Sequence, residues 1–394
     1  MQRIAQAARA MLTDRILPFW QALRDEEYGG YYGYMDFGLQ VDKAAEKGCI
    51  LNSRILWFFS EAAMTLKDEN LVPYARHAYR FLTEKCLDRE QGGVYWSVSY
   101  DGQPLDTTKH TYNQAFAIYA LSAYHRLTGE AEALALAKDL FELIETRCTD
   151  AGGYLEAFTR DFHPASNEKL SENGVLAERT MNTLLHVFEG YAGLYQAEKI
   201  PAVSAAMERI LDIYAGKVYN PELQRQEVFF DRDYRSLIDL TSYGHDIESS
   251  WLIDWGCSLL GNDVLTAKIA AINSALADSV LHTAFDGQSL ANECERGTVD
   301  AHRIWWVQAE ALLGFVNEFI KHPDRTDCRD AAVSLWRYIT EKVEDRRPGG
   351  EWFWRLDEAG EPDREKPIVE PWKCPYHNGR MCMELIRRDP DVFL

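Results

Sequence analysis

The chain has 394 residues, 46% of them hydrophobic, 12% aromatic and 26% charged, with a formal net charge of −20. That length and apolar content bury a large core and fit a globular protein. The acidic excess excludes nucleic acid and anionic membrane surfaces as partners, because either needs a basic face, and the arginine doublets Arg346-Arg347 and Arg387-Arg388 are too small to supply one.

Residues 1–20 interleave Arg3, Arg9, Asp14 and Arg15 with apolar side chains at helical spacing, which reads as an amphipathic helix and not a signal sequence. No run approaches the roughly 20 apolar residues of a membrane span. The eight cysteines, at 49, 86, 148, 257, 294, 328, 374 and 382, contain no Cys-x-x-Cys pair and are expected as free, buried thiols in a cytoplasmic protein.

In chain order, helices with a clear polar face are predicted over 1–23, 71–86, 130–148, 201–218, 263–282 and 327–343. They alternate with helices apolar over most of their circumference, over 53–66, 113–124, 181–195, 245–260, 304–319 and 376–388, as expected of helices buried on several sides. Glycine-aromatic turns recur at Gly29-Gly30-Tyr31, Gly92-Gly93-Val94, Gly152-Gly153-Tyr154 and Gly349-Gly350-Glu351, with weaker versions at Phe229-Phe230-Asp231 and Asp286-Gly287-Gln288. The repeat is roughly 60 to 70 residues long and occurs six times. Six buried helices inside six exposed ones make an all-α (α/α)6 barrel, a single domain over 1–394, with an open helical array as the alternative.

In such a ring the inner helices run in one direction, so their starts share one mouth. Those starts carry Asn52-Ser53-Arg54, Tyr112-Asn113-Gln114, Asn182 with His186, His245 with Glu248, Trp305-Trp306 with Glu310, and Trp372 with His377-Asn378. Each has a plain structural alternative: Arg54 paired with an acidic neighbour, His186 a satisfied core histidine, Trp306 and Trp372 core aromatics, His245 and His377 bonded locally at helix starts. His77, His125 and His322 read as solvated groups on outer helices or connectors. Histidines and glutamates spread over several helices, without a His-x-x-x-His or His-Glu-x-x-His string, give no metal site, and no phosphate loop or Gly-x-Ser-x-Gly elbow is present.

Jointly the starts suit proton transfer at a carbon next to a carbonyl. One histidine of the pair His245 and His377 takes the proton and the other returns one from the opposite face. Arg54 supplies the cation for an enediolate oxygen, Glu248 orients His245 from one turn beyond it, and tryptophan faces stack on sugar rings. The expected partner is a small sugar.

Arg24-Asp25, Gly29-Gly30-Tyr31-Tyr32-Gly33, Ser53-Arg54-Ile55-Leu56-Trp57, Asn182-Thr183-Leu184-Leu185-His186, Gly244-His245-Asp246-Ile247-Glu248, Trp305-Trp306-Val307-Gln308-Ala309-Glu310 and Pro371-Trp372-Lys373-Cys374-Pro375-Tyr376-His377 resemble, in order and spacing, the N-acylglucosamine 2-epimerase superfamily. The resemblance implies an (α/α)6 barrel and cofactor-free, reversible epimerisation at C2 of the reducing-end glucose of β-1,4-linked disaccharides, cellobiose to glucosylmannose and lactose to epilactose. It implies that His245 and His377 are the acid/base pair, with Arg54, His186 and Glu248 essential beside them. It also implies that Trp306 and Trp372 stack on the two sugars and that Asn182, Tyr112, Trp251 and Glu310 line the pocket. A monomer or weak homodimer is expected. The rival readings are a monosaccharide 2-epimerase or mannose isomerase on the same scaffold, a glycoside hydrolase using Glu248 and Glu310, and a non-catalytic sugar-binding protein.

Overall fold

The computed structural model describes residues 2–170 and 173–394; the predicted helix start at residue 1 lies outside them. Twelve helices alternate in role. The outer set is α1 (Ile4–Met11, continuing through a π-helical turn at Leu12–Ile16 into Leu17–Ala22), α3 (Val72–Phe81, ending in a π turn at Leu82–Cys86), α5 (Ala131–Arg147), α7 (Pro201–Ile213, with a π turn at Tyr214–Val218), α9 (Asp263–Thr283) and α11 (Thr326–Tyr338, with a π turn at Ile339–Val343). The inner set is α2 (Cys49–Leu66), α4 (Thr111–Thr128), α6 (Met181–Ala197), α8 (Tyr243–Leu260), α10 (Trp305–Lys321) and α12 (Tyr376–Arg388).

Each inner helix packs against the next, and α12 packs back on α2, so the ring closes as an (α/α)6 barrel. Every outer helix covers the inner helix that precedes it, and α1 covers α12. The inner helices carry no polar face because both sides are occupied: in α2 every residue from Cys49 to Ala63 is buried.

Three inner helices begin earlier than the apolar runs predict, α2 at Cys49, α4 at Thr111 and α8 at Tyr243, while α6 and α12 begin at the predicted Met181 and Tyr376 and α10 at Trp305, just after the predicted Ile304. Five of the inner helices start directly after a short strand, for example Lys47–Gly48 before α2, Lys109–His110 before α4 and Arg303–Ile304 before α10. Between each outer helix and the next inner one the chain makes a tight hairpin whose turn begins with an acidic or amide residue. Asp25, Asp88 and Asp286 each accept two backbone N–H bonds within their own turn through Oδ1. In the second hairpin Gly92 and Gly93 both take positive φ, 80° and 76°, which is why a glycine pair stands there.

The fourth hairpin departs from the expected place. It pairs Tyr219–Asn220 with Arg225–Gln226, while Phe229–Phe230 pairs instead with Arg179–Thr180. It lacks glycine, and Gln224 takes the left-handed conformation at φ 49°.

Ion pairs, buried in all but the Arg303–Asp286 case, pin these hairpins to the inner-helix starts. Lys47 reaches Asp25 at 2.6 Å, Lys109 reaches Asp88 at 3.1 Å, Arg303 reaches Asp286 at 2.8 Å, and Lys373 reaches Glu351 at 2.5 Å. In each case a basic residue two to three positions before the inner helix fixes where that helix begins.

Three smaller expectations change. His77 is half-buried, with Nε2 hydrogen-bonded to the Gly30 carbonyl at 2.9 Å. His125 lies in the last turn of α4, an inner helix. And α9 is long and apolar enough to span a bilayer, with a mean hydropathy of 1.4, contrary to the sequence reading. Here it packs on α8 through Ile269, Leu276 and Val280, and its Asp278 pairs with Arg325 at 2.7 Å. The eight cysteines are free thiols, seven of them buried.

Candidate active site

The inner-helix starts enclose a cavity of about 580 Å³, within the usual range for a small-molecule site. Its wall takes Arg54 from α2, Tyr112 from α4, Asn182 and His186 from α6, His245 and Glu248 from α8, Trp306 from α10, Trp372 from the segment before α12, and His377 from α12. Nine of the eleven predicted site residues therefore meet at one opening. Trp251 and Glu310 do not line it. Glu310 is fully buried behind His377, and Trp251 Nε1 donates to Glu310 Oε2 at 3.0 Å. They stand one turn deeper along α8 and α10, where helical spacing carries them out of the mouth.

The histidines share one design. His377 Nδ1 donates to Glu310 Oε1 at 2.7 Å, His186 Nδ1 donates to Glu189 Oε2 at 2.8 Å, and His245 Nδ1 is hydrogen-bonded to Ser242 Oγ at 2.7 Å. In all three, Nδ1 is engaged and Nε2 is the nitrogen left for the cavity. Burial lowers the His245 imidazole to about 3. Burial, reinforced by the charges of Arg380 and Arg54, lowers His377 well below its ordinary value. Both rings are consequently neutral bases at pH 7.

Glu248 does not orient His245 as expected. Three-residue spacing sets both on one helix face, but His245 is the third residue of α8 and its ring turns back to Ser242, just before the helix. Glu248 instead reaches across the ring to α12, where its Oε1 accepts from Arg380 and lies 4.0 Å from His377 Nδ1. Burial and the nearby Glu310 charge push Glu248 up to about 7. The residues that orient the histidines are thus Ser242 for His245 and Glu310 for His377.

Gly244 lies inside the first turn of α8, and a Cβ there would stand 2.5 Å from the Trp306 ring. That close approach lets Trp306 lie against both histidines, with ring centroids 4.7 Å from His245 and 5.4 Å from His377.

Arg54 is 2% exposed and hydrogen-bonds to no carboxylate among the described residues. Its Nη2 donates to the Tyr112 hydroxyl at 2.8 Å, and its guanidinium lies over the Phe116 and Tyr376 rings at 4.3 and 4.6 Å. A cation held by π faces instead of a counter-ion keeps its charge for whatever enters the cavity. Trp372 forms a separate aromatic wall with Trp96 and Tyr112, at 5.6 and 5.9 Å. The Oδ1 of Asn182 is buried without a partner.

Four contributors escape the sequence reading: Ser242, Glu189, Tyr376 and Arg380. Arg380 follows His377 by three residues and Glu189 follows His186 by three, so each shares a helix face with its histidine. A charge within a buried helix is the same signal that singles out Arg54. Glu248, Glu310 and His377 bring potential metal-ligand atoms within 4.8 Å of one another. Arg380 Nη2 donates to both carboxylates, so a cation already sits among them.

The family model for N-acylglucosamine 2-epimerase (GlcNAc 2-epimerase) matches residues 30–378. A cellobiose 2-epimerase from Eubacterium cellulosolvens is 53% identical over 397 residues, covering 97% of this chain and 98% of that protein. A cellobiose 2-epimerase from Ruminococcus albus is 47% identical, covering 98% of each. The crystal structure of a sugar epimerase from a ruminal bacterium superposes with a TM-score of 0.97 at 46% identity, covering 99% of this chain and 100% of that one. A family match over most of the chain, together with relatives of this similarity along its full length, shows that the chain belongs to the N-acylglucosamine 2-epimerase family of isomerases.

Proposed function

We propose that the protein is a cellobiose 2-epimerase, inverting C2 of the reducing-end glucose of β-1,4-linked disaccharides without a cofactor. The observation that carries the reading is a pair of histidines, His245 and His377, each anchored through Nδ1 and each against the same face-forming residue, Trp306, in a cavity that also holds the carboxylate-free Arg54.

In the open-chain sugar, one Nε2 takes the C2 proton. The C2–H electron pair moves into a C1–C2 double bond, and negative charge gathers on O1, where Arg54 opposes it. The other histidine, neutral at rest, takes up a proton at Nε2 from solvent in the cavity and delivers it to C2 from the opposite face, while the first releases the abstracted proton to solvent. The two can exchange these roles, which makes the reaction reversible. Glu248 keeps a proton close to His377 at neutral pH, and Glu310 holds that ring in the Nδ1–H form. His186, with its Glu189 partner, serves ring opening. Trp306, against the two histidines, and Trp372, against Trp96 and Tyr112, offer platforms for two sugar rings, which suits a disaccharide.

Glu248 and Glu310 do not suit glycoside hydrolysis: Glu310 is behind the wall, and one guanidinium bonds both carboxylates, whereas that chemistry needs carboxyl groups flanking a scissile bond, about 5 to 10 Å apart. The free thiols support a reducing, cytoplasmic location.

Incubating cellobiose with the protein in D2O and following C2 by NMR tests the assignment. Deuterium at C2 with accumulation of glucosylmannose is expected. No exchange with any β-1,4 disaccharide sinks it, and exchange confined to free mannose or N-acetylmannosamine replaces it with a monosaccharide activity.

A further inference from the structure

We propose that Arg380 is a positioning residue that ties two glutamate–histidine pairs, Glu189–His186 and Glu310–His377, into one unit beneath the cavity. Its side chain is 2% exposed and does not itself line the cavity. One nitrogen, Nη1, donates to Glu189 Oε1 at 2.6 Å, and the other, Nη2, donates to Glu310 Oε1 at 2.8 Å and also to Glu248 Oε1. Each of the first two glutamates passes the connection on to a histidine Nδ1, His186 at 2.8 Å and His377 at 2.7 Å. A single planar guanidinium thus sits between two acid/base dyads on different helices, stacked between the rings of Tyr376 at 4.2 Å and Trp251 at 4.8 Å.

Three carboxylates from α6, α8 and α10 converge on this point. Without the guanidinium, buried like charges at this spacing would take up protons. A protonated Glu189 or Glu310 is a poorer acceptor for Nδ1–H, so the tautomer that aims the Nε2 lone pair at the cavity would lose its anchor. The groups that face Arg380 are Tyr119 on α4, Glu189 on α6, Glu248 on α8, Glu310 on α10 and Tyr376 on α12. Among them Arg380 is the one cation, and its charge also opposes protonation of His377. A lysine donates from a single nitrogen and lacks the two separated donor nitrogens that reach Glu189 and Glu310, so it does not replace the fork.

The kinetic arm of the test rests on the epimerase reading; a spectroscopic arm does not. In wild type and in Arg380→Lys and Arg380→Gln proteins of native circular dichroism, histidine 15N shifts report the tautomers of His186 and His377. Both are expected as Nδ1–H in wild type, with at least one altered in each variant. Epimerisation kcat is expected to fall about 100-fold with KM within a few-fold, and the acid limb of kcat/KM to move to higher pH in Arg380→Gln because a positive charge near His377 is gone. Unchanged tautomers, or wild-type kcat with an unmoved pH profile, overturn the proposal. If neither variant folds, Glu189→Gln decides it, because the coupling requires the His377 shifts to respond to a substitution in the other dyad, and an unmoved His377 spectrum overturns it. A wild-type protein that gives no C2 exchange removes the epimerase reading and leaves the tautomer result to judge Arg380.

Discussion

Replacing either member of the histidine pair separates proton abstraction from inversion. His245→Asn is expected to lower epimer formation by about three orders of magnitude, while His377 still exchanges the C2 proton of one epimer for deuterium. His377→Asn should reverse which epimer exchanges. NMR in D2O reads both, and loss of exchange on both epimers in either variant removes the two-faced scheme. The pH dependence has a definite sign. Burial lowers both imidazoles, His245 to about 3, so the neutral base survives acidification past the ordinary histidine value of 6.5. The acid limb of kcat/KM should therefore lie below pH 6.5, and a limb at or above 6.5 contradicts the site's electrostatics. Which residues matter was legible because a histidine or arginine at the head of a buried helix is costly unless it serves a cavity. Which carboxylate serves which histidine was not, because spacing along one helix is silent about the neighbour across the ring. Glu310 reaches His377 from α10, 67 residues back in the chain, and no motif spacing records that meeting.

The elements follow the sequence in number, order and role, and depart from it at their ends. Apolar runs locate the middle of an inner helix, but in α2, α4 and α10 the first residue is set by the basic side chain two positions before it and the hairpin aspartate that side chain finds. Asp25, Asp88 and Asp286 are visible in the sequence as acids opening each turn, a more regular mark of the repeat than the glycines. The fourth hairpin, without glycine, was misplaced for want of that signal: Asn220 fills the acid's role, accepting from the Glu222 and Leu223 amides. The π turns of α1, α3 and α11 carry a matching threonine, Thr13, Thr83 and Thr340, each bonding the carbonyl four residues back at 3.0 Å. This kind of back-bonding favours a bend in the helix. Lys47 tests the pinning. Lys47→Met leaves Asp25 buried and unpaired, which should cost about 3–5 kcal/mol in urea unfolding, and adding Asp25→Asn should recover part of it. A second substitution at element scale is Gly244→Ala. The new methyl displaces Trp306, so KM for the disaccharide is expected to rise several-fold with the fold intact by circular dichroism.

At the scale of the whole molecule, closing the ring buries ionisable groups of both kinds, and their pH responses oppose each other. His110, His245 and His377 have lowered values in the folded state, the first two to about 3. Between pH 3 and 6.5 the unfolded chain binds protons that the folded one refuses, so these groups make stability rise with pH in that window. Glu156, Asp246 and Glu248 are pushed by burial up to about 7. Between roughly pH 4 and 7 the folded chain holds protons that the unfolded one releases, so these groups make stability fall with rising pH. The two sets largely cancel between pH 4.5 and 6.5, leaving a flat stability profile there. Below pH 4 the carboxyl contribution has vanished while the histidines continue, and the lowered aspartates Asp88 and Asp150 add to the loss. A steep fall in thermal midpoint below pH 4 is the expected result. Glu248→Gln isolates one group of the set. Its amide oxygen still accepts from Arg380 but carries no proton equilibrium, so the variant should gain on wild type by roughly 2 kcal/mol more at pH 8 than at pH 5, while losing epimerisation. Denaturant unfolding at the two pH values measures this. An equal difference at both would show that Glu248 is not held protonated by the ring, and would make it a third charged carboxylate beside Glu310 and Glu189 around Arg380.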